Sequence, residues 1–174
     1  MHFHIRPVWY IAFAVIFTGC TKAKTQADTV GHEVEQKITP FNDADEQRLL
    51  MQRAVVEKYL RDDDSKRKYT TAAGKLGTIR AILQSGVFKR DQTYEFQCLG
   101  VVLGDAMVQE LKVEWIMVED AHGRDPAIRV PGTSIILYPL TMISKRVERG
   151  EEVDVFELFN LAAEQIEELQ RKGV

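Results

Sequence analysis

The chain has 174 residues, 45% of them hydrophobic and 28% charged, with 23 lysines and arginines against 26 aspartates and glutamates for a formal net charge of −3. That is ordinary globular composition at a length that defaults to one domain, and it excludes a disordered or fibrous chain. Bases and acids are mixed with no basic surplus gathered in one stretch, so a nucleic-acid partner is not expected, and two cysteines, Cys20 and Cys98, are too few for a disulfide scaffold.

The amino end reads as an address. Arg6 is its only fixed positive charge, and an apolar run follows from Val8 to Phe17. Crossing a bilayer takes roughly 20 apolar residues; this run has about half that, the length of a signal-peptide core. Phe17-Thr18-Gly19-Cys20 comes next, and the sequence turns polar at once with Thr21-Lys22-Ala23-Lys24. The four residues ending at Cys20 resemble the lipobox of bacterial lipoproteins, with Phe17 where leucine is usual. The resemblance implies cleavage between Gly19 and Cys20, a diacylglyceryl thioether on the Cys20 sulfur and an acyl chain such as palmitate on the new amino terminus. Each buried methylene contributes about 0.8 kcal/mol, so several chains hold a protein firmly on a membrane. Thr21 stands where some lipoproteins carry a retention aspartate, which favours the periplasmic face of the outer membrane in a Gram-negative cell. The division expected is a signal peptide over 1–19, a lipidated cysteine and flexible polar tether over 20–40, and one domain over 41–174.

Within that domain a first helix is expected from Asn42, a capping residue followed by Asp43, Asp45 and Glu46, with Leu49, Leu50, Val56 and Leu60 at helical spacing. The block Asp62–Lys68 is charge-rich but nearly balanced and reads as a solvated loop. A short helix over 75–84 ends at Ser85-Gly86, and a longer one spans 92–111. Gly100 and Gly104 lie one turn apart in it. Glycine costs about 1 kcal/mol against alanine inside a helix, so the pair implies another backbone packed very close, with the floor of a ligand groove as the alternative. Then the period changes. Val113–Val118, Ala127–Val130 and Ser134–Tyr138 are rich in strand formers, with Ala121–Asp125 as a hairpin loop and Pro131-Gly132 as a turn. Pro139 opens a helix that stops at Gly150, and Asp154 caps a last one striped by Val155, Leu158, Phe159, Ala162, Ile166 and Leu169. Helices, a three-strand antiparallel meander and two more helices make an α+β fold in a single domain.

The residues of about 99–160 also resemble an uncharacterised bacterial family known only as a domain of unknown function. The runs that carry this are Leu103-Gly104, Trp115 with Val118-Glu119-Asp120, Gly123-Arg124-Asp125-Pro126-Ala127, Pro131-Gly132-Thr133 and Pro139 through Glu148. The resemblance implies a shared fold and no particular activity.

Two clusters could carry chemistry. Glu119, Asp120, His122, Arg124 and Asp125 sit together, and carboxylates beside a histidine can act as an acid–base pair or as metal ligands. A polar hairpin loop collects the same residue types for conformational reasons, and that is the favoured reading. Past Cys20 the only other histidine is His32, so zinc would need carboxylates or Cys98 to complete its shell; no metal and no cofactor is expected. The second cluster is Thr141, Ser144, Lys145 and Arg146 at a helix start, where hydroxyls and cations can hold an anion. With Arg124, the cations Lys145 and Arg146 make a candidate anion site, set against ordinary capping and dipole pairing. Ser144 has no lysine three residues on, and the sequence lacks a Gly-x-Ser-x-Gly elbow. Gly74-Lys75 lacks the glycine and hydroxyl residue of a phosphate loop. Cys98 reads as a buried hydrophobe, and Trp115 and Tyr138 as core aromatics. The expected function is therefore a non-enzymatic, membrane-tethered module that binds an envelope protein or peptide. The alternative is a small envelope hydrolase or metal-dependent enzyme using the Glu119–Asp125 loop.

Overall fold

The computed structural model describes residues 36–173 apart from His122. The residues read as a signal peptide and lipobox, Cys20 among them, and most of the stretch read as a tether therefore lie outside the described residues.

Helix α1 (Asp43–Glu57) starts as its sequence dictates. The Asn42 side chain accepts from the Asp45 backbone N–H at 3.0 Å, and the Asp45 carboxylate accepts from the Asn42 N–H at 3.0 Å. Each satisfies a donor that the first helical turn leaves open. The expected loop at Asp62–Lys68 is instead a second helix, α2 (Asp63–Tyr69), capped by Asp62. Asp63 and Asp64 stand in its first turn, and Lys66, Arg67 and Lys68 in its last, in ion pairs of 3.8, 2.7 and 2.6 Å at three- and four-residue spacing. None of its residues is buried. The charges that made the block look like a loop are ordered to match the helix dipole and one another.

Helix α3 (Ala72–Ser85) ends on Gly86 at φ 62°. Helix α4 (Thr93–Leu111) is the spine of the molecule, with ten buried residues from Phe96 to Met107. It touches α1, α3, the strand that follows it and both carboxyl-terminal helices. Strands β2 (Glu114–Asp120) and β3 (Gly123–Arg129) form an antiparallel hairpin with Asp120 opposite Gly123, and β4 (Ile136–Leu137) completes the meander. The hairpin is tighter than expected: only Ala121 and His122 separate the strands, so Arg124 and Asp125 lie on β3 rather than in a loop. Gly123, at φ 137°, takes the bend that closes it.

The sheet has four strands, not three. Lys37–Thr39 forms β1, antiparallel to β2, with Lys37 opposite Glu119 and Thr39 opposite Met117. β1 falls within the stretch over 20–40 read as a tether, and its pairing joins Lys37–Thr39 to the sheet. Three residues are too short to show alternation, and what makes them a strand is a partner some eighty residues away.

Helices α5 (Pro139–Glu148) and α6 (Val155–Arg171) follow, the first opened by proline and the second capped by Asp154, which accepts from the Phe156 and Glu157 N–H groups at 2.9 and 3.2 Å. Trp115, Ile128 and Leu137 join the main core under the helices. Ile116, Val118 and Ala127, with Ile136 and Tyr138, form a separate apolar cluster on the other side of the pleat. Both faces of β2 therefore carry apolar side chains, which is why its sequence reads as a continuous run rather than an alternation. The domain is α+β.

The paired glycines of α4 are where chains meet. A Cβ on Gly100 would lie 2.5 Å from the Leu140 Cα and the Pro139 carbonyl oxygen, and one on Gly104 would strike the Trp115 ring. Gly77 on α3, by contrast, has nothing within 4 Å of such an atom. Gly100→Ala should lower stability by roughly 2 kcal/mol despite its better helix propensity, because backbone cannot yield as a side chain can. Gly77→Ala should raise stability by about 0.5–1 kcal/mol. Urea denaturation of the two variants beside the wild type checks both signs.

Candidate functional site

Strand parity divides the polar cluster that the sequence places around the hairpin. Glu119 and Arg124 are paired across the ladder and share one face of the sheet. There Arg124 acts as a knot. Its guanidinium donates to the Asp45 carboxylate at 2.5 and 3.3 Å, to the Pro40 carbonyl at 3.2 Å and to the Thr39 hydroxyl, and it lies 3.7 Å from Glu119. This one side chain ties β1, the start of α1 and the hairpin together. The Arg124 hydrogen bond holds the Asp45 carboxyl below its ordinary range, against the opposing effect of burial.

Asp125 shares a face with Val118, its partner across the ladder. It meets Arg48 of α1 at 3.2 Å, and Arg48 also donates to the Arg124 carbonyl at 3.3 Å. Asp120 and Asp125 both line a cleft of about 250 Å³ whose mouth also touches Gln36, Arg48 and Gln97. Val118, Pro126 and Leu140 give it apolar walls, and Tyr138 and Thr141 add hydroxyls. Burial, and then the carboxylates of Asp120 and Asp125, push the Tyr138 phenol above its usual value. Tyr138 is thus a neutral donor and acceptor on the cleft wall. His122 lies outside the described residues.

The second sequence cluster does not come together with the first. Arg124 is engaged at Asp45, whereas Arg146 donates to the Met142 carbonyl of its own helix at 2.7 Å. Burial draws the Arg146 guanidinium below its usual value. Lys145 is exposed, and Ser144 is buried against the Leu140 carbonyl at 3.2 Å. No hydrogen bond or ion pair among the described residues joins Arg124 to Lys145 or Arg146. Among those residues no three His, Cys, Asp or Glu side chains are placed to hold a metal ion. Cys98 is fully buried with its thiol pushed up to about 11, the behaviour of a core residue.

Sequence reading missed two arginines of α1. Arg48 edges the cleft. Arg53 forms a two-pronged pair with Asp105 of α4 at 2.6 and 2.7 Å, and the Trp115 indole N–H donates to the same carboxylate at 3.0 Å. Phe41 meets the Trp115 ring edge-on at 6.4 Å. Trp115 is held by Asp105 and Phe41, lies against Gly104 and belongs to the fold, as its sequence context implies. Nothing local in the sequence marks Arg53 or Asp105, because each finds its partner 52 positions away. Two larger and more open hollows, of about 610 and 640 Å³, lie along α3. The first is floored by Ala73, Gly77 and Ala81, and the second mixes Arg80 and Arg90 with Glu152 and Asp154.

Residues 75–159 match a family described as a domain of unknown function (DUF3806). The match begins in α3, earlier than the stretch from about 99 that the sequence runs indicate, and takes in α4, the three-strand meander, α5 and the start of α6. No curated protein matches the chain. A crystal structure of a protein from Bacteroides thetaiotaomicron VPI-5482 is similar over 79% of this chain, with a TM-score of 0.60 and 15% sequence identity. That likeness is one of fold. The chain spans about 50% of that neighbour's length.

The Arg124 knot has a pH signature. Asp45 has a lowered folded pKa, so its contribution to stability is present above the ordinary carboxylate value and is lost as pH falls through the folded value. Asp45→Asn should therefore destabilise the domain clearly near pH 7 and much less at about pH 3. Thermal melts of both proteins across that range check it, and a penalty that does not vary with pH would contradict the assignment.

Proposed function

We propose that the protein is a lipid-anchored envelope protein whose α+β domain is a non-enzymatic module that binds another envelope protein or a peptide. The anchor reading is supported by the short apolar run, the residues Phe17-Thr18-Gly19-Cys20 and the polar stretch behind them. The binding reading is supported by one observation above others. Two family-like runs, Gly123–Ala127 on β3 and Pro139–Glu148 on α5, both contribute to the cleft that α1 and α4 edge. The division of the polar cluster favours binding over hydrolysis. Glu119 and Arg124 are turned to the opposite face of the sheet, and Arg124 and Asp125 are each held in an ion pair. A cleft with apolar walls, amide and hydroxyl edges and fixed charges is organised to recognise a side chain.

Metabolic labelling with a clickable fatty acid tests the anchor. Wild type should carry label and fractionate with membranes, and Cys20→Ala should lose both; label on the variant would remove Cys20 as the attachment point. A photoreactive amino acid at Gln97 or at Thr141 in living cells tests binding. It should yield one reproducible crosslinked protein band, with the same residue placed at exposed Glu167 as the negative control. Crosslinking no different from that control at both positions would overturn the binding reading.

A further inference from the structure

We infer that the cleft between β3, α1 and the start of α5 accepts a lysine or arginine side chain of the partner polypeptide. This rests on the protein- or peptide-binding reading above and names the chemistry of what is bound.

Size comes first. Sites for drug-sized ligands run from about 300 to 1,000 Å³. At about 250 Å³ this cleft has room for one long side chain and little else. Its walls suit such a side chain along its length. Val118, Pro126 and Leu140 present aliphatic surface to a methylene stem, while Asp125 and the Tyr138 hydroxyl stand where a charged tip needs acceptors.

Charge decides between kinds of side chain. The charge open to an occupant is that of Asp125, beside which stands the Arg48 guanidinium. Arg48 is spent twice, on Asp125 and on the Arg124 carbonyl. Among the described residues the Asp125 pair uses Oδ1, and the side chain remains 65% exposed, which leaves Oδ2 facing solvent for a second cation. An acidic side chain would meet like charge, and a purely apolar one would strip water from Asp125 without replacing it. A basic one supplies a charge-assisted hydrogen bond and buries its stem. Tyr94, three residues before Gln97 on the same side of α4, is 49% exposed.

The test uses the full chain in neutral detergent micelles, isotopically labelled for amide spectra, and three blocked pentapeptides differing only at the centre: lysine, norleucine and glutamate. The lysine peptide should shift the amides of Asp125, Thr141 and Gln97 and bind about tenfold or more tighter than its norleucine counterpart, which lacks only the charged tip. The glutamate peptide should leave those amides unmoved. Asp125→Asn should remove most of the lysine preference. Arg48→Gln, which takes away the competing guanidinium, should strengthen lysine binding several-fold, and it decides the matter if Asp125→Asn does not fold. Equal affinity for lysine and norleucine, an unshifted cleft, or a weaker lysine complex in Arg48→Gln would each overturn the inference. If crosslinking from Gln97 still captures a partner while the lysine preference is absent, this assignment fails and the binding reading stands.

Discussion

The approach of α5 to α4 at Gly100 sets the rest of the structure. With no side chain on Gly100, the backbone of Pro139 and Leu140 comes as near to α4 as atoms allow. Leu140 then packs with Val101 and with Leu49 of α1, so three helices share one small apolar cluster. The same placement brings Leu140 and Thr141 to the cleft, opposite the β3 residues Asp125 and Pro126. One methyl group at position 100 would push these walls apart. The cleft is thus a consequence of backbone packing in the core and not of a separate loop built for it.

Polar contacts then fix what packing leaves free to slide. Helix α1 is pinned at two levels by arginine–aspartate pairs, Arg124 to Asp45 near its start and Arg53 to Asp105 further along. Both are well covered, with side-chain exposures of 27% and 11% in the first and 27% and 13% in the second. At such burial the penalty for removing one partner exceeds what the pair itself contributes, since the survivor is left charged and poorly hydrated. These pairs hold α1 in register against the sheet and α4, which is how Arg48 comes to stand at the cleft edge.

Much of this was legible in the sequence where the determinants are local. Asn42 and Asp154 mark helix starts, Gly86 and Pro139 mark an end and a beginning, and the unusual glycines of α4 announce a close approach without saying to what. What stayed hidden was set by partners distant in the chain. Lys37–Thr39 has no strand signature of its own and becomes one by pairing with β2. The Asp62–Lys68 block has the charge density of a loop, and only the order of its charges makes it a helix. In the sequence the five polar residues of the hairpin read as one loop, because spacing alone says nothing of which way a side chain faces. Once β2 and β3 extend nearly to the turn, parity sends Glu119 and Arg124 one way and Asp125 the other. Arg48 and Arg53 carry no local signal at all.

The placement of β1 has a mechanical side. It is the first described element and lies at the edge of the sheet, so tension on the chain entering at Gln36 would reach it before the rest of the fold. Three residues of ladder would peel under modest load. They are backed, however, by Arg124, which grips Thr39 and Pro40 from β3 and Asp45 from α1. Tension entering at the edge is thereby shared between the hairpin and the first helix before it reaches the apolar core. The domain is fastened like a rope end whipped to two spars, and a pull that frees the strand must first undo a single guanidinium.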